Sequence, residues 1–177
     1  SSPNTPGLRA LQTKAALEEL LGRLAEVRAT LPGRHPVFLK VAPDLEDGEV
    51  EAIVGAVARF RLDGIIAGNT TISRLALRSG QAGEGGGLSG APLMSLSTQV
   101  LRRFHEANDQ GLVLIGAGGV ASGADAYAKI RAGAHAVQLY SAMVFEGPGL
   151  IPRIRRELAA RLRADGFRSV AEARGAA

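Results

Sequence analysis

Leu112-Val113-Leu114-Ile115-Gly116-Ala117-Gly118-Gly119-Val120-Ala121-Ser122 joins a four-residue apolar run to a glycine turn and then to a helix start. The run is too short for a helix and too uniformly apolar for a half-exposed strand, so it reads as a strand buried on both faces. The glycines let the backbone turn sharply and approach a ligand. Ser122 and Asp125 are set as a capping pair for a helix over Ser122–Ala132.

The same unit recurs on either side. Upstream, Pro36–Val41 and Leu62–Ala67 are short apolar runs of strand type, and Ala136–Tyr140 is another downstream. Helical spacing joins Leu17, Leu20, Leu21, Leu24, Val27 and Leu31. Val50, Ile53, Val54, Val57 and Phe60 mark a second helix, for which Asp44 or Asp47 is the expected cap. Val100, Leu101 and Phe104 belong to a third helix, and Ile151, Ile154, Leu158 and Leu162 stripe a last one. Residues 71–95 form a long connection rich in glycine, holding the run Gly85-Gly86-Gly87. Beyond about residue 165 the periodicity fades, and a frayed tail over 166–177 is expected.

Strands alternating with helices indicate a parallel sheet covered by helices. Polar and glycine-rich residues follow every strand: Lys40, then Gly68-Asn69-Thr70, then Gly116–Gly119, then Tyr140-Ser141. A functional face at the C-terminal ends of all strands is what a (β/α)8 barrel requires, whereas an open doubly wound sheet gathers ligands only at its switch point. Four strands and the stub of one before them amount to the C-terminal half of such a barrel, from the end of strand 4 through helix 8. A whole barrel takes about 250 residues; this chain has 177.

Composition narrows the rest. Hydrophobic residues make up 46% and charged residues 21%, as in ordinary globular domains. No apolar run approaches the length of a membrane span, and no signal-peptide pattern opens the chain. With no cysteine there are no disulfides, thiolate nucleophiles or sulfur-bound metals. Aromatic residues at 4% argue against stacking surfaces for single-stranded nucleic acid. The net charge of +4 resides in residues 151–177, where seven arginines face Glu157, Asp165 and Glu172. That is the composition of a solvated terminal helix face; attraction to anionic lipid or RNA is the alternative.

Four groups carry chemistry. The turn Gly116–Gly119 at a helix start suits an anion, and with Tyr140-Ser141 after the next strand it suggests a phosphate site, although such turns also serve packing. A side chain at Gly119 is expected to fill the space that phosphate needs. Lys40, at a strand end, would place its ammonium in the barrel mouth opposite an anion; a surface lysine is the bland reading. Asn69 can donate and accept at once, which suits an amide or imide, though Asn-Thr after a strand is also a common turn. His35 and His135 precede their strands and fall at the opposite, stabilising face, while His105 lies in a helix.

The opening Ser1-Ser2-Pro3-Asn4-Thr5-Pro6-Gly7-Leu8-Arg9 has two prolines and a glycine and reads as a rigid loop. As SSPNTPGLRALQ (1–12), and together with VFLKVAPDL (37–45), DGIIAGNTTISR (63–74), GGLSGAPL (86–93), LIGAGGVASG (114–123) and AVQLYSAMVFEGPGLI (136–151), it resembles the quinone-linked class 2 dihydroorotate dehydrogenases over residues 1–150. The resemblance implies oxidation of (S)-dihydroorotate to orotate in pyrimidine biosynthesis, with FMN and a quinone as electron acceptor. It implies Ser2 as general base, with hydride passing to the flavin N5, and Asn4, Asn69 and Thr70 as substrate contacts. Lys40, Gly68, Gly90, Gly119, Tyr140 and Ser141 fall at flavin-contacting positions. Thr5 is placed to begin a proton relay from Ser2. Soluble class 1 relatives carry cysteine where Ser2 stands, which selects the quinone-linked class.

Gly68 departs from the threonine that often precedes Asn-Thr-Thr in the family, and Gly85 from the threonine of its Glu-Thr-Gly-Gly run. A loop so central to catalysis at the first residue leads us to expect a fragment, residues 1–165 forming the barrel half. The absent part would include the membrane and quinone segment, so the parent protein is expected at the cytoplasmic side of the cell membrane and the fragment alone is expected to be inactive. Other flavin barrels that reduce C=C bonds, and non-redox phosphosugar barrels, share the phosphate loops and stay open as alternatives.

Overall fold

A computed structural model describes residues 1–74, 77 and 79–176. Four strands, β1 (Phe38–Val41), β2 (Gly64–Ala67), β3 (Val113–Ala117) and β4 (Ala136–Gln138), form one parallel sheet in sequential order. The helices are α1 (Lys14–Thr30), α2 (Glu49–Arg59), α3 (Met94–Ala107), α4 (Gly123–Arg131), α5 (Ser141–Glu146), α6 (Leu150–Ala164) and α7 (Val170–Ala173). Unbroken sequential order with a helix after each strand is barrel geometry, and four strands are half of eight.

The strands' two faces differ. Ile65 and Leu114 point toward the helices and are fully buried with Ile53, Val57, Leu101 and Phe104. Lys40, Ile66, Ile115 and Ala136 share the register of the other face and are only half-buried or exposed. The sequence reading of strands buried on both faces therefore holds for the helix side, while the inner face stands open. Among the described residues β1 and β4 each have one unpaired edge.

Several details differ from expectation. No strand precedes α1: the opening loop leads into a 3-10 turn at Arg9–Gln12. Only Leu17 and Leu21 of α1 are buried, while Leu20, Val27 and Leu31 are exposed, because α1 ends the helix layer and is covered only on its α2 side. Helix α2 is entered through Gly48 in a left-handed conformation with no side-chain cap; Asp44 is engaged elsewhere. The capping pair on α4 does form, Ser122 Oγ accepting from Asp125 N at 3.2 Å. Residues 166–176 are docked: Ser169 caps α7, Ala173 is fully buried, and Gly175 N donates to Ile130 O at 3.2 Å. A short apolar contact set, too brief for periodicity to register, holds this tail.

Asp63 anchors the N-terminal ends of β1 and β2. Its carboxylate accepts from Val37 N and Arg28 Nη2, both at 2.8 Å, and from Arg34 Nη2 at 2.9 Å. The Val37 N–H, then Arg34, then the Arg28 charge hold its carboxyl at about 2, below the ordinary 3.8, against an opposing push from burial. Because the folded value is depressed, the stabilisation is full above about pH 4 and is lost as pH falls toward 2. Asp63→Asn is expected to lower stability by about 2 kcal/mol at neutral pH, the scale of hydrogen bonds to charged groups. It should also flatten the acid limb between pH 4 and 2, as thermal melts across that range will show.

Candidate functional site

The C-terminal ends of all four strands open onto a single cleft of about 1100 Å³. Asn4, Lys40, Gly68, Asn69, Thr70, Gly90, Gly119, Tyr140 and Ser141 line it together. These come from the opening loop, β1, the loop after β2, the glycine-rich connection, the turn after β3 and the start of α5. Nine of the ten residues singled out in the sequence thus converge. Ser2 does not line the cleft; its Oγ accepts from Asn4 N at 3.2 Å. The expected relay is not formed either, since Thr5 is exposed and makes no bond to Ser2.

The turn after β3 is the clearest anion feature. Gly118 and Gly119 both have positive φ, 101° and 79°. Among the described residues nothing accepts from the N–H groups of Gly118, Gly119 or Val120. Free backbone donors at a glycine turn beside a helix start form a concavity for an anion. The part played by Gly119 differs from expectation. A Cβ there would meet Met94 N and Cα at 2.5 Å, not the open cleft, so the glycine lets the turn pack on the start of α3. Beside the turn, Ser141 Oγ donates to Ser89 Oγ at 2.9 Å, and Tyr140 is exposed to the cleft as the N-terminal flank of α5. That short helix lacks a periodic stretch long enough to be read from sequence.

Charge at the other end of the cleft is also positive. Lys40 lies on the open inner face and has no carboxylate partner among the described residues. Asn69 Nδ2 donates to Ser1 Oγ at 2.7 Å, while its Oδ1 accepts from Thr70 N at 2.8 Å. Asn4 Oδ1 accepts from Gly87 N at 3.0 Å. A Cβ on Gly87 would overlap Thr70 Oγ1 at 2.0 Å, so the Gly85-Gly86-Gly87 run closes directly over Thr70 and Pro3. Thr70 Oγ1 is buried and has no hydrogen-bond partner among the described residues.

Asp44, read as a helix cap, is instead a tie between loops. It accepts from Arg9 Nη2 at 2.9 Å and from the hydroxyl of Thr71, joining the opening loop to the one after β2. Gln12 Oε1 accepts from Ala42 N at 2.7 Å and fixes the same loop to the end of β1. Both residues lie inside the quoted motifs, but nothing in their spacing distinguishes a tie from a cap. His135 serves the opposite end as expected, its Nδ1 accepting from Leu114 N at 3.1 Å; burial and then the Arg174 charge hold it below its ordinary value.

Fold and cleft together define half of a parallel (β/α)8 barrel with an anion-ready ligand site at its strand C-termini. Residues 1–162 match the dihydroorotate dehydrogenase family model, and the chain belongs to that family. It is 58% identical to a dihydroorotate dehydrogenase (quinone) of Azorhizobium caulinodans and 55% identical to one of Xanthobacter autotrophicus, in each case over 99% of this chain. The chain spans about half the length of these relatives, 51% and 50%. The ligand-free crystal structure of a DHODH from Eimeria tenella superposes with a TM-score of 0.93 at 37% identity, covering 99% of this chain and 53% of that one.

Proposed function

We propose that this chain is the C-terminal half of a quinone-linked dihydroorotate dehydrogenase that oxidises (S)-dihydroorotate to orotate with FMN. Residues 1–165 form its barrel half and 166–177 its C-terminal tail. The observation that carries this reading is the pairing, across one cleft, of three unclaimed backbone N–H groups at the Gly118 turn with the uncompensated ammonium of Lys40. One end suits a phosphate and the other an electron-accepting ring system that gains negative charge on reduction. Relatives bearing the quinone enzyme's name support the substrate and acceptor.

The residues present fit FMN. The cleft is large enough for a cofactor and a small substrate. Gly119, Gly90, Tyr140 and Ser141 would surround the phosphate, and Gly68 and Lys40 the ring. When bound, FMN supplies the two-electron acceptor chemistry. Asn4, Asn69 and the unpartnered Thr70 hydroxyl would orient the substrate's amide and carboxylate groups. Ser2 would take the proton from C5, and the Asn4 N–H already directed at its Oγ favours the oxygen that has lost its proton. Lys40 would stabilise the charge that develops on the ring.

No helix among the described residues is long and apolar enough to cross a membrane. Quinone access is assigned, on the family resemblance, to an N-terminal membrane segment outside this chain, at the cytoplasmic surface of the cell membrane. The full-length protein is expected to be yellow and to reduce a quinone-coupled dye when given dihydroorotate. A colourless protein, or one indifferent to dihydroorotate, would refute the reading. The 177-residue chain alone is expected to bind FMN weakly, to dimerise or aggregate through its unpaired β1 and β4 edges, and to show no turnover. Flavin content, light scattering and dye reduction test this, and a monomer with stoichiometric FMN and steady turnover would contradict it.

A further inference from the structure

Among the described residues, one charged side chain lies in the core and is not used by the proposed chemistry. Lys129, on α4, is fully buried, and so is Ser97 on α3. Its Nζ donates to Ser97 Oγ at 2.6 Å. The same Oγ lies 2.8 Å from Leu93 O and 3.0 Å from Gly118 O, so it bridges the start of α3 and the turn after β3. No carboxylate pairs with Lys129 among the described residues, and a buried ammonium without a counter-charge is costly. Hydrophobic residues of similar volume would fill the site without that cost. The lysine stem runs directly beneath the glycine turn, since a Cβ on Gly116 would meet Lys129 Cδ at 3.2 Å.

We propose that Lys129 is a positioning residue of the anion site: its ammonium, through Ser97, fixes the Gly118 turn from below and supplies the positive charge that a bound phosphate compensates. The proposal rests on the reading of that turn as the FMN phosphate site. Burial holds Lys129 at about 8, below the ordinary 10.5, with Asp125 on the same helix opposing the shift. From α3 the group nearest its ammonium is the Ser97 hydroxyl; Arg103 is turned to Leu45 and Glu46, and His105 to Gly133. From α6, Glu157 is held by Gly123 N and Arg153. A folded value below the unfolded one makes charged Lys129 a destabilising group at neutral pH, and stability rises as pH climbs from about 8 toward 10.5.

The test compares FMN with riboflavin, which lacks the phosphate, in the full-length protein stripped of flavin. Wild type is expected to prefer FMN at pH 7 and to lose most of that preference between pH 7 and 9.5. Lys129→Met is expected to cut the FMN-over-riboflavin preference at least tenfold at pH 7, to leave riboflavin affinity within about twofold, and to abolish the pH dependence. The flavin-free variant should melt no lower than wild type, since it loses an unpaired buried charge. Equal losses for both flavins, or a clear fall in melting temperature, would mean that Lys129 only braces the core, and would overturn the proposal. Should Lys129→Met fail to fold, the wild-type profile decides: an FMN preference unchanged from pH 7 to 9.5 overturns it. A wild type with no preference at pH 7 would remove the phosphate site itself, a failure distinct from a retained preference in the variant.

Discussion

Ser2→Ala is expected to slow flavin reduction by dihydroorotate about a hundred- to ten-thousand-fold in the full-length protein, the range over which a positioned base contributes. Ser2 does not line the cleft, and its hydroxyl contacts only the backbone of its own loop, so its loss should not empty the flavin site. FMN content and the visible spectrum should therefore match wild type while the rate of bleaching collapses. That split, chemistry lost with binding kept, marks a group that acts only in the transition state. Ser2→Cys should retain more activity than Ser2→Ala, since a thiolate can accept the proton from nearly the same place. Stopped-flow bleaching under excess dihydroorotate provides the measurement. If Ser2→Ala bleaches at a near wild-type rate, the base lies elsewhere, and Ser1, whose Oγ accepts from Asn69 Nδ2, becomes the candidate.

How far the fold was legible follows from what each signal depends on. Alternation of apolar runs with helical spacing depends on local burial alone, and it placed all four strands and the four longer helices that carry periodic stripes. Lys40 was legible because a cation at a strand end of a barrel has one place to go. The tie made by Asp44 was not, because an aspartate before a helix satisfies the capping pattern equally well, and only the fold shows Arg9 and Thr71 arriving from elsewhere in the chain. Lys129 left a faint trace: it falls among Ala126 and Ile130 on the buried stripe of α4, a charge in a core register. The half-exposed inner face, by contrast, had no signature. Ile66 and Ile115 are as apolar as any barrel interior residue, and a local pattern does not tell whether other strands close over them.

Gly119→Val is expected to yield protein without flavin, for a reason the geometry changes. The sequence suggests a collision with the phosphate. In the structure a Cβ at Gly119 points at the backbone of Met94, 2.5 Å away, from a residue whose φ is +79°. A side chain there must push the turn off the start of α3, and the left-handed backbone adds a strain of roughly 1–3 kcal/mol. Overpacking against backbone costs about as much again. The displaced turn carries the unclaimed N–H groups of Gly118, Gly119 and Val120, so the anion site is lost together with stability. Gly90→Ala is the matched comparison. Its φ is +82°, yet a Cβ there meets nothing closer than Ser141 Cβ at 3.9 Å. It should share the backbone strain, lower the melting temperature modestly and keep most of its FMN. Purifying both variants and measuring flavin per protein beside their melts separates the two effects. A Gly119→Val protein that retains a full complement of FMN would show that the turn after β3 does not hold the phosphate.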